Sequence, residues 1–407
     1  MNKKWIALLL SVGFTFSAGA CSLLNGDSQS SSGEDNSAKA LEIPDFVVDV
    51  PADRNPIVLQ LTDTQIIDAG QARPGRGGVD YVNWATDQVE ERCYDFLTEV
   101  INATTPDLII LTGDIIYGEF DDSGSALLSF VEFMESFQTP WAPIFGNHDN
   151  ESKMGVDWQC QQFEEAEYCL FKQKELTGNG NYSVGIAQEE KLKRVFYMLD
   201  SNGCGNASEE SMSNSHFRKG VGFGADQIKW YTEEITEIKA LSPATKISFA
   251  YHIQTAIFNQ VFAEYGDVGG NAMENPINVD THPNKKASDF GYIGGRGVKG
   301  EWDDSYIVWD SMSQLGVDSI FVGHEHRVSA SIVASGVRFQ FGQKSSEYDT
   351  FNCIDGNGKI TGSSTKTGTS LIGGTVIPLS KDNGSIVDPY IYYCGFENGQ
   401  IDWTKYN

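Results

Sequence analysis

Short apolar runs recur along the chain, and each stops near a polar residue. The runs are rich in Ile, Leu, Val and Phe, and they cover residues 57–61, 107–111, 143–145, 246–251 and 318–322. Segments of this length and composition are typical of buried β-strands that end where the polar residue begins. The pattern therefore predicts a strand in each of these segments.

Helical periodicity fills several of the intervals between these runs. In residues 86–102 the apolar positions recur at the spacing of one helix face, and residues 126–137 and 226–240 follow a similar pattern. Such spacing is typical of amphipathic helices that bury one side. Because strands that alternate with helices pack as layers, the chain is predicted to form an α/β layered domain.

Polar side chains follow every one of the predicted strands. In chain order they are Asp63, Asp114, Asn147-His148-Asp149, His252 and Gly323-His324-Glu325-His326-Arg327. Ligands in open α/β folds bind beyond the carboxyl ends of the strands, so these side chains are expected to converge at one edge. Four of the six histidines of the chain belong to this set.

The residue types in this set suit a metal-dependent hydrolytic site. Carboxylates such as Asp63 and Asp114 bind hard cations. His324 and His326 project to the same side of an extended segment, so each could serve one metal of a pair. Taken singly, an aspartate after a strand is commonly a turn former, and two nearby histidines are commonly a surface feature. The ordered set at five strand ends favours the metal site.

This set resembles the motifs of the calcineurin-like metallophosphoesterase superfamily: Asp-x-His, Gly-Asp, Gly-Asn-His-Asp/Glu, a lone His and Gly-His-x-His. The resemblance extends over residues 57–342, and residues 106–114 and 146–152 are closest to the purple acid phosphatase-like, single-domain branch. It implies two packed mixed β-sheets flanked by helices. It also implies hydrolysis of phosphate monoesters with two metal ions, for which Fe, Mn and Zn are the expected identities.

The resemblance further implies a role for each residue of the set. Asp114 would bridge the two metal ions. The remaining ligands would be Asp63 and His326 at the first metal, and Asn147, His252 and His324 at the second.

The implied mechanism combines these metals with two catalytic residues. Two cations about 3.5–4 Å apart would clamp the phosphoryl oxygens and lower the pKa of a bound water, which supplies hydroxide. His148 would contact phosphate and assist the leaving group. Asp149 would orient His148 and favour its protonated form, the alternative being an ordinary turn carboxylate.

The first motif departs from the family pattern, because Gln65 occupies the position where histidine is usual. Gln65 could ligate a metal through its carbonyl oxygen, leave a position for water, or be replaced by another residue. Tyr117 is the candidate replacement, since it follows Asp114 at the spacing of the metal-binding tyrosine of purple acid phosphatases. A core aromatic is the alternative for Tyr117.

Residues 1–20 resemble a bacterial lipoprotein signal peptide, with Lys3 and Lys4 before an apolar stretch and small residues before Cys21. Ala18 stands where leucine is usual in that motif. We therefore expect an exported cell-envelope protein that is attached to the membrane only through a lipid on Cys21, with simple secretion as the alternative. Residues 21–40 are rich in Ser, Gly, Asn and Asp and predict a flexible linker, which leaves residues 41–407 for the metallophosphoesterase domain.

Acidic residues outnumber basic ones, and the formal net charge is −27 at pH 7. Binding to nucleic acid needs Lys and Arg opposite the phosphates, so the charge argues against nucleic acid as a partner. It also repels anionic substrates at long range. A phosphorylated small-molecule or polymer substrate would therefore depend on locally bound cations.

Beyond Cys21 the chain has six cysteines, an even number that allows three disulfides in an exported protein. Cys160 with Cys169 and Cys353 with Cys394 are the expected pairs. A set of free buried thiols is the alternative.

Two other functions remain open from the sequence. The first is a phosphodiesterase that acts on nucleotides, lipid headgroups or wall polymers. The second belongs to another class: a metal-poor binding lipoprotein that kept the fold and lost activity through Gln65.

Overall fold

A computed structural model describes residues 31–71, 86–202, 222–263, 306–358, 360–363, 366–402 and 405. The predicted signal peptide, Cys21 and Cys204 lie outside the described residues. Within them, the chain forms a seven-stranded sheet, a five-stranded sheet and a small three-stranded sheet.

The five-stranded sheet has the order β15-β14-β2-β3-β4, and its neighbours β2, β3 and β4 are parallel. Its strands are β2 (Ile57–Leu61), β3 (Leu108–Thr112), β4 (Trp141–Ile144), β14 (Gly373–Pro378) and β15 (Tyr390–Tyr393). The carboxyl ends of β2, β3 and β4 therefore share one edge.

The seven-stranded sheet is mixed, with the order β1-β5-β6-β7-β8-β10-β9, and β6, β7, β8 and β10 run parallel. Its strands are β1 (Phe46–Asp49), β5 (Tyr182–Gln188), β6 (Lys191–Met198), β7 (Lys246–Ala250), β8 (Ser319–Val322), β9 (Ser331–Ala334) and β10 (Val337–Phe341). All five predicted strands are present, and they divide between the two large sheets.

A third sheet of three short antiparallel strands was not expected. Its strands are β11 (Phe351–Ile354), β12 (Ile360–Ser363) and β13 (Thr369–Ser370). They lie in a Gly-, Ser- and Thr-rich part of the chain, where the apolar pattern is weak.

The described helices are α1 (Ser31–Leu41), α2 (Asp87–Thr104), α3 (Ser125–Ser136), α4 (Val156–Glu165), α5 (Ala225–Leu241), α6 (Ile257–Ala263) and α7 (Tyr306–Gln314). The three helices predicted from periodicity correspond to α2, α3 and α5. Thr86 caps α2 by accepting a hydrogen bond from the amide of Val89, and Thr105 ends it in the left-handed conformation.

The two large sheets pack against each other through one continuous buried cluster. It includes Leu59 and Ile109 from the five-stranded sheet, and Phe196 and Ile320 from the seven-stranded sheet. Burying each such side chain stabilises the fold by about 1.5–3 kcal/mol. The predicted fold class, two packed mixed sheets with flanking helices, is confirmed.

Helix α1 lies inside the segment predicted to be a flexible linker. It packs against β6 and α5, and Ala40 near its end is fully buried. The linker prediction is therefore wrong for residues 31–40, because tertiary packing orders a stretch whose composition alone could not indicate a core contact. None of the described helices has both the length and the apolar character needed to cross a membrane.

The two expected disulfides are absent from the described residues, where Cys160, Cys169, Cys353 and Cys394 are all free thiols. The thiol of Cys160 contacts Gln173, and the thiol of Cys394 donates to the backbone oxygen of Phe96. Each of these two sulfurs thus has another polar neighbour, and burial raises the pKa of both thiols. The alternative of free buried thiols is the correct one for these four residues.

Candidate metal centre

The carboxyl-terminal edges of the two large sheets meet at the candidate site. The backbone of Thr62, just after β2, forms a bridge with Lys344, which follows β10 in the other sheet. The side chain of Gln60 donates to the backbone oxygen of Val322, at the end of β8, over 3.1 Å. The residues that follow these strands are thereby held in one place.

Four of the predicted ligand residues, among them Gln65 with a φ angle of 45°, have an unusual backbone conformation. Asp63, Asp114 and His324 have φ angles of 51°, 51° and 71°. Aspartate and histidine are among the residues that tolerate this left-handed region, where other side chains are strained. Each turns the chain sharply after its strand, and such outliers cluster at functional sites.

Asp63, Asp114 and His326 form a first group, in which one potential ligand atom from each lies within 4.8 Å of the others. The Nε2 atom of His326 is 3.3 Å from Oδ1 of Asp63. Its Nδ1 atom is 3.0 Å from a carboxylate oxygen of Asp349. A proton on Nδ1 that points to Asp349 leaves the Nε2 lone pair directed at the group, as in metal sites where a carboxylate orients a ligating histidine.

A second group uses Asp114 again, together with His252 and His324. Nε2 of His252 is 3.3 Å from Oδ2 of Asp114. Oδ1 of Asn147 lies 3.1 Å from that nitrogen and 2.9 Å from Nδ1 of His324. Nδ1 of His252 faces the backbone oxygen of Thr112 at 2.8 Å, so it carries the proton and leaves Nε2 to the group.

The donor atoms of the two groups fit metal cations. Oδ1 of Asp63 and Oδ2 of Asp114 are buried, and neither accepts a hydrogen bond from any of the described residues. Buried carboxylate oxygens normally have such partners, or else coordinate a metal. Oxygen and imidazole donors are also the ligands that Zn, Mn and Fe share.

The charges of the two groups act on one another. Burial lowers the pKa of His252, but the carboxylate of Asp114 outweighs burial and raises it to about 9. Burial and the charge of His252 lower the pKa of His324 to about 3. A metal that binds both nitrogens at neutral pH therefore displaces a proton from His252 and none from His324.

Gln65 lies beside the first group but turns its oxygen away. The side chain is fully buried, and its Oε1 accepts a hydrogen bond from Nζ of Lys344 over 2.7 Å. Lys344 also donates to the backbone oxygen of Asp63 over 3.0 Å. Of the three outcomes left open for Gln65, direct ligation through its oxygen is the one that this geometry disfavours.

His148 stands at the same edge, but Asp149 does not orient it. Nδ1 of His148 is 2.8 Å from a carboxylate oxygen of Glu151. The carboxylate of Asp149 instead accepts hydrogen bonds from the backbone amides of Ile116 and Gly146. The orienting role predicted for Asp149 is therefore wrong, and Asp149 is the turn carboxylate that was the alternative. Glu151, two residues further along the chain, takes the predicted role, because the turn brings its carboxylate within hydrogen-bonding distance of the His148 imidazole.

Glu151 and Asp114 also set the charge of His148. Burial alone would lower the pKa of the imidazole, but these two carboxylates and that of Asp349 raise it to about 10. The ring of Tyr117 stacks on His148 with centroids 4.1 Å apart. The ring of Tyr117 thus packs against His148. This placement of Tyr117 matches the alternative of a packed aromatic residue better than it matches a metal ligand.

An open cavity of about 220 Å³ gives access to these residues. Its lining includes Asp114, Asn147, His148, His324 and His326. Glu325, Arg327, Asp349 and Thr350 line it as well. The cavity therefore opens onto His148 and onto ligand residues of both groups.

The sequence left three neighbours of the site unnoticed: Lys344, Asp349 and Glu151. Lys344 and Asp349 lie more than two hundred residues from Gln65 along the chain, and no strand-end motif contains them. Glu151 was within reach, because it follows His148 at the spacing that places two side chains on one face of a helical turn.

The chain is similar to several known proteins. The sequence model of a family described as Calcineurin-like phosphoesterase matches residues 57–328. The phosphatase DCR2 of Saccharomyces cerevisiae is 25% identical over 249 residues, which are 57% of this chain and 38% of that protein. The probable inactive purple acid phosphatase 28 of Arabidopsis thaliana is 32% identical over 96 residues, which are 22% of this chain and 24% of that protein.

The chain thus spans well under half the length of these curated relatives. Among solved structures, a dimetal phosphatase from Danio rerio aligns with a TM-score of 0.44 and 10% identity. That alignment covers 84% of this chain and 99% of the other.

Proposed function

The chain belongs to the calcineurin-like phosphoesterase family, and we propose that it hydrolyses phosphate monoesters at a centre of two metal ions that share Asp114. The observation that carries the proposal is the pair of ligand groups with one carboxylate in common. Asp63 and His326 complete the first metal site, and His252, His324 and Asn147 complete the second. The relative named a phosphatase supports the reaction class.

When bound, the metal ions supply Lewis-acid activation of the attacking water and neutralise charge on the phosphoryl group. The residues of the chain place the substrate and the protons. His148 lines the cavity and carries a proton at neutral pH, which allows it to bind a phosphate oxygen and protonate the departing oxygen. Glu151 holds Nδ1, so Nε2 is the nitrogen that serves the substrate.

We further propose that the substrate is a phosphorylated small molecule or polymer and that nucleic acid is no partner, because the 56 acidic residues of the chain outnumber its 29 Lys and Arg. The support for an exported, lipid-anchored protein is the sequence of residues 1–21. These two proposals rest on the composition of the chain and on the motif at residues 1–21.

A second candidate is a binding protein that has lost hydrolysis. It is favoured by Gln65 in place of a histidine and by the relative named a probable inactive purple acid phosphatase. The cavity and the ligand groups would then serve phosphate binding alone.

Metal analysis joined to ester hydrolysis separates these functions. We expect purified protein to contain up to two transition-metal ions per chain and to hydrolyse p-nitrophenyl phosphate faster than bis(p-nitrophenyl) phosphate. Removal of metal with a chelator should abolish turnover, and Fe, Mn or Zn should restore it. Less than one ion per chain with no turnover of either ester would establish the binding protein, whereas turnover of the diester alone would refute monoester specificity.

The role of Glu151 predicts a change in the acidity of His148. Glu151→Gln removes one of the three carboxylates that raise the pKa, so we expect the pKa of His148 in metal-free protein to fall by about 1–3 units. Because the folded-state pKa is raised, the protonated form is lost at a lower pH in the variant. NMR titration of the imidazole resonances measures the shift directly.

The matched control for this titration is Glu165→Gln, which changes an exposed glutamate near the end of α4. It should leave the titration of His148 in place. An unchanged pKa in Glu151→Gln would mean that Asp114 and Asp349 set the charge of His148 without Glu151.

A further inference from the structure

Lys344 is a buried lysine that no motif of the chain assigns to the site. Its side chain is almost wholly buried, with 2% of the residue surface exposed. Its backbone bridges to Thr62 in the other sheet, and its carbonyl accepts a hydrogen bond from the amide of Gly373. These contacts fix where the ammonium lies relative to the first ligand group.

The ammonium dictates which way Gln65 presents its amide. A lysine ammonium has three donors and no acceptor, so only the oxygen of the carboxamide can face it. Nζ of Lys344 takes that oxygen at 2.7 Å. The amide nitrogen that remains is a donor and has no lone pair for a cation. It is buried and has no hydrogen-bond partner among the described residues.

The same lysine places a positive charge beside one ligand group. Burial lowers the pKa of the Lys344 ammonium, and the carboxylates of Asp63, Asp349 and Asp114 oppose that shift. Two of them, Asp63 and Asp114, are potential ligands of the first group. Nζ of Lys344 lies 3.0 Å from the backbone oxygen of Asp63, so the ammonium repels a cation that enters this group, where screening by water is weak.

The two groups also differ in the number of donors that they offer. The first has Asp63, Asp114 and His326. The second has Asp114, His252 and His324, and Asn147 adds an oxygen within 3.1 Å of both imidazoles. Charge and donor count therefore act in the same direction.

We propose that Lys344 is a positioning residue that makes the two metal sites unequal: by holding the oxygen of Gln65 and adding a positive charge, it weakens the site of Asp63 and His326. The inference rests on the proposed two-metal function. The glutamine at position 65, in place of the usual histidine, thus contributes to a lower affinity of the first site for metal. The second site is then the one that retains its ion.

Titration of metal-free protein with Mn²⁺, monitored by isothermal titration calorimetry and checked by elemental analysis, tests the proposal without any activity measurement. Wild-type protein should show two classes of sites whose dissociation constants differ by about tenfold or more, which corresponds to about 1.4 kcal/mol. Lys344→Met should tighten the weak class by about tenfold and change the tight class by less than about twofold. Lys381→Met, which removes an exposed lysine, is the matched control and should change neither class.

Further variants identify the residues behind each class. His326→Ala should abolish the weak class and leave the tight one. Gln65→Leu should leave the weak class unchanged, since the oxygen of Gln65 is already taken, and it keeps the proposal testable if Lys344→Met does not fold. In protein that carries both Lys344→Met and Gln65→Leu, the weak class should lose part of the gain in Mn²⁺ affinity that Lys344→Met produces alone.

Several results would overturn the proposal. Equal affinities in wild-type protein, an unchanged weak class in Lys344→Met, or a weaker class in Gln65→Leu would each do so and would leave the phosphatase function standing. Binding of a single Mn²⁺ by both wild-type protein and Lys344→Met would instead refute the two-metal function itself.

Discussion

Asp114→Asn is expected to lower the turnover of phosphate monoesters by about a thousandfold or more, equivalent to about 4 kcal/mol of transition-state stabilisation. Asp114 is the one residue that belongs to both ligand groups. Its Oδ2 is buried without a hydrogen-bond donor among the described residues and is 3.3 Å from Nε2 of His252. Asparagine removes the negative charge that both cations require and can turn a donor toward one of them.

The fold should tolerate this substitution. Oδ1 of Asp114 accepts a hydrogen bond from the amide of His148 over 2.8 Å, and the oxygen of asparagine can replace it. We therefore expect a circular dichroism spectrum like that of wild-type protein, together with the loss of one or both metal ions in elemental analysis. Steady-state hydrolysis of p-nitrophenyl phosphate gives the change in kcat/KM.

Asp95→Asn is the matched control, because this aspartate is exposed on α2 and lies outside the ligand groups. Its turnover and metal content should match those of wild-type protein. If Asp114→Asn kept two ions and near-normal turnover, Asp114 would not be the shared ligand.

The fold was predictable from the sequence where burial is continuous. Strands β2, β3, β7 and β8 lie within one residue of the predicted runs, because strands covered on both faces carry unbroken apolar sequences. The three-stranded sheet was not predictable, because its short strands pack only a small cluster around Ile354 and Leu371. Helix α1 escaped prediction for a related reason, since its order comes from contacts with distant elements.

The candidate site was likewise predictable from the sequence only in part. Side chains at strand ends could be predicted to meet, because parallel strands bring their carboxyl ends to one edge. The groups that tune them could not, since they depend on where loops return. Lys344 reaches Gln65 from the residues that follow β10 in the other sheet, and Asp349 reaches His326 from the same connection between β10 and β11. The sequence identified Gln65 as the exception, but it could not show that Lys344 donates a hydrogen bond to the side-chain oxygen of Gln65.

The glycine before Asn147 is also part of the centre, although it carries no ligand. Gly146 follows β4 at the point where the chain passes closest to Asp114. A Cβ at this position would lie 2.2 Å from Oδ1 and 2.4 Å from the backbone nitrogen of Asp114. The second of these atoms belongs to the backbone and cannot move aside as a flexible side chain can. The amide of Gly146 also donates to Asp149, which ties the same turn to its neighbour.

Gly146→Ala is therefore expected to destabilise the protein by about 3 kcal/mol, at the upper end of the usual cost of overpacking. It should also push Asn147 and His148 away from Asp114, so that the hydrogen bond from the amide of His148 is lost along with most of the turnover. Guanidinium unfolding curves measure the stability change, provided that the slope stays constant. Gly356→Ala is the matched control, because a Cβ there meets nothing within 4 Å. It should leave the unfolding midpoint unchanged or slightly raised, since alanine restricts the unfolded chain. Equal midpoints for the two variants would show that the close approach of Gly146 to Asp114 is not required, and the shared-carboxylate geometry would then need another support.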